Sequence, residues 1–85
     1  MNDLDSLRLE IDKIDEQILQ LLTDRAQYAR HIGEYKSRNN IAVFSQEREE
    51  RILSNLVLKN KGPLSAESIK SIFAQIITSC RELQK

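Results

Sequence analysis

One unbroken period near the start of the chain constrains its fold more than any other feature. Apolar or large side chains fall at Leu4, Leu7, Ile11, Ile14, Ile18 and Leu21, then Arg25, Tyr28, Ile32 and Tyr35, in steps of three and four. That is the period of an α-helix, sustained without Pro and with no Gly before Gly33. Asn2 or Asp3 can cap its start, Asp5 and Glu10 suit the positive end of the helix dipole, and the polar run 37–40 ends it. A first helix from about Asp3 to about Arg38 is predicted. At 1.5 Å per residue it is about 54 Å long. A compact chain of this size has a radius of gyration near 12 Å and a diameter of roughly 30 Å. The helix must therefore overshoot its own domain with its apolar stripe still running. The economical cover is a second copy of the same helix, packed antiparallel in a symmetric, interlocked homodimer.

The rest of the chain is too short to offer another solution. Ile41 to Ser45 reads as a loop, with Ser45 capping a second helix over Gln46 to Asn60 that carries Ile52, Leu53, Leu56 and Val57 on one side. Gly62 and Pro63 stop that helix, Gly62 as its C-terminal cap. Ser65 caps a third helix whose buried stripe is Ile69, Ile72, Phe73, Ile76, Ile77, Cys80 and Leu83. No strand pattern and no internal repeat are present. The expected fold is all-α: one very long helix and two shorter ones, in a single domain over residues 1–85.

Charge and cysteine content narrow the function. Thirteen basic residues balance thirteen acidic ones, so no basic field is available for nucleic acid or for an anionic membrane surface. No apolar run reaches the roughly 20 residues a membrane helix needs, and residues 1–5 carry the wrong charge for a signal peptide. One Cys and one His make neither an internal disulfide nor a metal cluster, and no cofactor motif is present. A cytoplasmic setting is expected.

Several charged residues sit where a purely structural helix has no use for them. Arg25 occupies a seam position that Ile and Leu hold in the preceding turns, and Lys36 falls within about 20° of the same stripe. Between them on that face are Ala29, Ile32 and Gly33. Two inward cations flanking small or flat side chains form a hollow suited to a small anion. The same spacing also fits snorkelling cations at a helix end, or an Arg paired with a buried carboxylate. Arg8 points nearly 100° away from Arg25; by itself it reads as a solvated charge. Arg48 and Glu49 border the apolar face of the second helix, within a run of charges able to pair among themselves. Cys80 and Gln84 continue the stripe of the third helix; alone, Cys80 reads as a small core residue. His31 lies about 120° from Arg25 and reads as solvent-facing. No nucleophile–base pair, phosphate loop or metal site appears, so an enzyme built on this chain would run a reaction that needs no proton shuttle.

Leu7, Arg8, Ile11, Asp12, Ile14, Asp15, Ile18, Leu21, Leu22 and Arg25 together resemble the opening of the all-helical chorismate mutases. Gly33 with Lys36, Arg48 with Glu49, and Ile76, Ile77, Cys80 and Gln84 continue that pattern in order, across essentially the whole chain. The stretch Asn60 to Leu64 is similar to mutase domains fused to prephenate dehydratase. The resemblance implies an isomerase that rearranges chorismate to prephenate, on the way to phenylalanine and tyrosine, with no cofactor and with chorismate as its partner molecule. It implies that Arg25 and the partner's Arg8 bind the two carboxylates. Lys36 and Gln84 would donate to the ether oxygen, Lys36 also to a carboxylate. Glu49 would accept from the ring hydroxyl, and Arg48 would support the site electrostatically. Ser45, where family members usually have Asp, would contribute its backbone amide. Cys80, where many have Ser, would be a wall of the site. Only Lys85 follows Gln84, so a weakly braced last turn and weaker catalysis than usual are expected. A lyase of the same fold that releases pyruvate from isochorismate is the alternative enzyme, and a non-catalytic regulatory or dimerisation module is the alternative from another class.

Overall fold

The computed structural model describes residues 3–85. It contains three helices in chain order: α1 (Leu4–Arg38), α2 (Gln46–Lys59) and α3 (Ala66–Glu82). Each starts where a short polar side chain can catch a free amide. Asp3 Oδ1 accepts from the Ser6 amide at 2.8 Å, which holds the Asp3 carboxyl below its usual range. Ser45 Oγ accepts from the Arg48 amide at 3.3 Å, and Ser65 Oγ from the Ser68 amide at 3.0 Å. The other predicted cap of α1, Asn2, lies outside the described residues.

The helix ends follow different chemistry. After α1, Asn40 takes the left-handed conformation (φ 54°), and the Ile41 amide reaches back to the Lys36 carbonyl at 2.9 Å. The Asn40 amide points to the Ser37 carbonyl; together these bonds satisfy carbonyls that the helix leaves open. The end of α2 corrects the sequence expectation. The helix stops at Lys59 with Asn60 as its cap, and Gly62 lies beyond it at φ 79°. Asn60 is what turns the chain: its Oδ1 accepts from the Gly62 amide at 3.0 Å and its Nδ2 donates to the Leu64 carbonyl at 2.7 Å. A second correction concerns Gln84. Helix α3 ends at Glu82, and Gln84 sits two residues past it, in the turn that follows, with its amide on the Arg81 carbonyl at 2.9 Å.

Helix α3 is the middle element, packed on α2 on one side and on the C-terminal part of α1 on the other. The closest approach is at Gly33, where a Cβ would lie 2.7 Å from the Gln84 Cα. No other residue type lets the two backbones meet there. Ala29, Gly33, Ile77 and Cys80 are buried around this crossing, and Ile52, Leu53, Leu56 and Val57 of α2 are half-buried against α3.

The predicted overshoot is present. The molecule measures 55 × 23 × 15 Å with a radius of gyration of 16.1 Å, against about 12 Å for a compact chain of this length. The N-terminal half of α1 projects beyond α2 and α3 with its stripe uncovered: Leu4, Leu7, Ile11, Ile14, Ile18 and Leu21 are 48–66% exposed. No helix among the described residues is long and apolar enough to cross a membrane.

Candidate active site

Where α1, the α1–α2 loop, α2 and the end of α3 converge, they enclose a cavity of about 530 Å³, within the range of small-molecule sites. Seven of the eight residues singled out in the sequence line it. Arg25 and Lys36 enter from α1, Ser45 from its cap position, Arg48 and Glu49 from the first turn of α2, and Cys80 and Gln84 from α3 and the turn after it. Ala29 and Ile32 form the floor between the two α1 cations. Gly33, the third residue of that floor, instead receives the backbone of Gln84.

Lys36 and Gln84 meet although 48 positions separate them. Lys36 Nζ donates to the Gln84 Oε1 at 3.3 Å and to the Val43 carbonyl at 2.8 Å. These bonds draw the ammonium across the cavity, so Lys36 is not snorkelling outward. An ammonium has three N–H donors, and two are used here, leaving one for a ligand. A carboxamide oxygen that accepts from Lys36 leaves the Gln84 amide nitrogen as the group free to donate. Two donors therefore stand side by side, each with capacity to spare. Gln84 is braced by Gly33, by the Arg81 carbonyl and by Lys36, so the weak last turn expected from sequence is seated on α1.

The charge runs of α2 divide by direction. Glu47 pairs with Arg51 at 2.7 Å and Gln46 with Glu50 at 3.0 Å, both on the solvent side. Glu49 turns inward instead and accepts from Arg81 Nη1 at 2.6 Å, with about three quarters of each side chain covered. The Arg81 guanidinium lies 4.8 Å from the centre of the Phe44 ring and lines the cavity. Sequence reasoning missed Arg81; its only signal was a cation next to Cys80. Among the described residues, no carboxylate lies within ion-pairing distance of Arg25 or Lys36. Within the chain, Arg25 is therefore not half of a buried ion pair. Four cations and one carboxylate line the cavity, a surface that favours an anion carrying more than one negative charge.

Arg8 is the residue the chain does not bring to its own site. It is exposed on the projecting half of α1, about 26 Å along the helix axis from Arg25. His31 is exposed, as expected.

The family model for chorismate mutase type II matches residues 7–85. The chain is 42% identical to the bifunctional chorismate mutase/prephenate dehydratase of Aquifex aeolicus over 89 aligned positions, covering 100% of this chain and 25% of that protein. It is 41% identical to the protein of the same description from Neisseria gonorrhoeae, covering 92% of this chain and 21% of that one. The chain thus spans about a quarter of the length of the curated relatives it matches. A chorismate mutase structure from Thermus thermophilus superimposes with a TM-score of 0.94 at 30% identity, covering 95% of this chain and 92% of that one.

Proposed function

The chain belongs to the chorismate mutase type II family, and from that premise we propose that it is an isomerase converting chorismate to prephenate in aromatic amino acid biosynthesis. The reaction is a unimolecular pericyclic shift in which a C–O bond breaks as a C–C bond forms. No proton is exchanged, so the lining residues need only bind, orient and stabilise charge. The protein has two tasks. It holds a flexible dianion in the compact conformer that brings the bonding carbons together, and it stabilises the negative charge that grows on the ether oxygen.

The observation that carries this reading is the Lys36–Gln84 pair. Their remaining N–H groups are two preorganised donors, and an ether oxygen gaining charge is the acceptor they fit. Arg25 supplies a bidentate fork for one carboxylate, Arg48 adds positive potential, and Glu49 accepts from the ring hydroxyl. Ser45 uses its hydroxyl as the α2 cap, so its contribution is the backbone amide. Cys80, buried, is a wall.

The second carboxylate requires another cation, and the uncovered half of α1 supports its source. The chain exposes 7120 Å², whereas a compact protein of 9.9 kDa exposes about 5,200 Å². An excess of about 1,900 Å² per chain, about 3,800 Å² for a pair, falls in the range of obligate dimers. Two copies of α1 packed antiparallel would cover each other's stripes, with a two-fold axis near Ile18. That arrangement carries the partner's Arg8 to the cavity as the missing ligand. The functional unit is therefore a symmetric homodimer with two shared sites.

The test is loss of chorismate absorbance with purified protein, with prephenate identified as product. Release of salicylate and pyruvate from isochorismate, with chorismate untouched, would establish the lyase instead. Inertness towards both would leave the non-catalytic module.

A further inference from the structure

We propose that Arg81 is a positioning residue of this site, holding Glu49 as a charge-neutralised acceptor so that the cavity's one carboxylate does not repel a dianionic ligand. The inference rests on the chorismate reading above.

A cavity built for two carboxylates gains nothing from a third unless that carboxylate is compensated. Glu49 is the single carboxylate among the lining residues, and it faces inward rather than into the solvated charge run of α2. Arg81 comes from α3, 32 positions away, and closes on it at 2.6 Å. The pair is mostly covered, where charges interact more strongly than at a surface. The contact is one-sided, running from Nη1 to Oε2 alone. It therefore leaves the other carboxylate oxygen free to accept from a ligand hydroxyl. Phe44, on the loop between α1 and α2, lies under the guanidinium at 4.8 Å and limits its swing. Arg81 thus sets the direction of Glu49 and offsets its charge without itself needing to touch the substrate.

A brace between α2 and α3 would use the same contact, so the experiment must separate the two roles. Steady-state kcat and KM for chorismate, together with melting temperature, are measured for wild type, Arg81→Met, Arg81→Lys, Phe44→Leu and the double variant Arg81→Met with Glu49→Gln. Turnover by the wild type tests the chorismate reading separately from every Arg81 variant. With an active wild type, Arg81→Met should raise KM about tenfold, the scale of a close charge coupling. Its kcat should change by less than about threefold, because the released charge opposes ground state and transition state alike. Adding Glu49→Gln should recover much of that KM, since the unpaired charge is then gone. Arg81→Lys should raise KM measurably but less than Arg81→Met does, and Phe44→Leu should raise it about two- to threefold. If Arg81→Met fails to fold, the KM values of Arg81→Lys and Phe44→Leu carry the test. A lowered melting temperature with unchanged KM in the Arg81 and Phe44 variants would overturn the proposal and leave a structural brace. A KM increase that Glu49→Gln does not relieve would overturn it as well.

Discussion

Replacing Gly33 by Ala adds one methyl group, and the structure says where that methyl goes. Its Cβ would lie 2.7 Å from the Gln84 Cα, 3.0 Å from its Cβ and 3.2 Å from its Cγ. Two of these atoms cannot rotate away, so relief requires the turn after α3 to withdraw by about 0.7–1.3 Å to reach ordinary carbon–carbon separation. The Lys36–Gln84 hydrogen bond starts at 3.3 Å, and the same displacement carries it past hydrogen-bonding range. Ala in a helix interior is worth up to about 1 kcal/mol over Gly, while overpacking costs about 1–3 kcal/mol. The net expectation is a stability loss of about 1 kcal/mol. Catalysis should suffer more, because misplacing a reacting group by about 1 Å can cost about a hundredfold. Thermal unfolding and steady-state turnover of chorismate measure both quantities on one preparation. A Gly33→Ala protein with full turnover and a raised melting temperature, as helix propensity alone predicts, would refute the seating of Gln84 on α1.

Two further substitutions probe the donors themselves. Lys36→Ala should lose about 3 kcal/mol of transition-state stabilisation, a loss of about a hundredfold or more in kcat, while circular dichroism stays native; turnover at the wild-type rate would remove Lys36 from the mechanism. Activity of the unmodified protein should vary little across neutral pH, but Gln84→Glu can donate only when protonated, so its rate should rise as pH falls. A flat profile for that variant would put residue 84 outside the site.

How much of this was legible in the sequence follows from how local each feature is. The period of α1 and the caps at Asp3, Ser45 and Ser65 are short-range chemistry, and each stands where the sequence predicts. Arg25 and Lys36 could be assigned to one face of α1 because a single helix fixes that geometry. Spacing alone left open whether they served a ligand, and the resemblance to a family supplied the roles. From sequence Gly62 reads as the cap of α2, because a Gly before a Pro outranks an Asn two positions earlier in any simple pattern. The side chain of Asn60 closes the turn instead. Gly33 was seen only as a small residue on the cation face, since the approach of α3 is a property of two helices. Arg81 was invisible for the same reason: nothing in the spacing of residues 49 and 81 relates them, and only the packing of α2 on α3 does.

The central claim is a site shared between two chains, and complementation tests it most directly. Arg8→Ala and Arg25→Ala are prepared separately; in the shared-site account both sites of each homodimer are damaged. An equal mixture, unfolded and refolded together, should contain about half mixed dimers by random pairing of chains. In a mixed dimer one site has both arginines, because the chain lacking Arg8 still provides Arg25 and its partner still provides Arg8. The other site lacks both. Half the dimers with half their sites whole predicts recovery of about a quarter of wild-type activity. Activity that stays at the level of the separate variants, after subunit exchange is proven with tagged chains, would contradict a shared site and return Arg8 to a solvated helix charge.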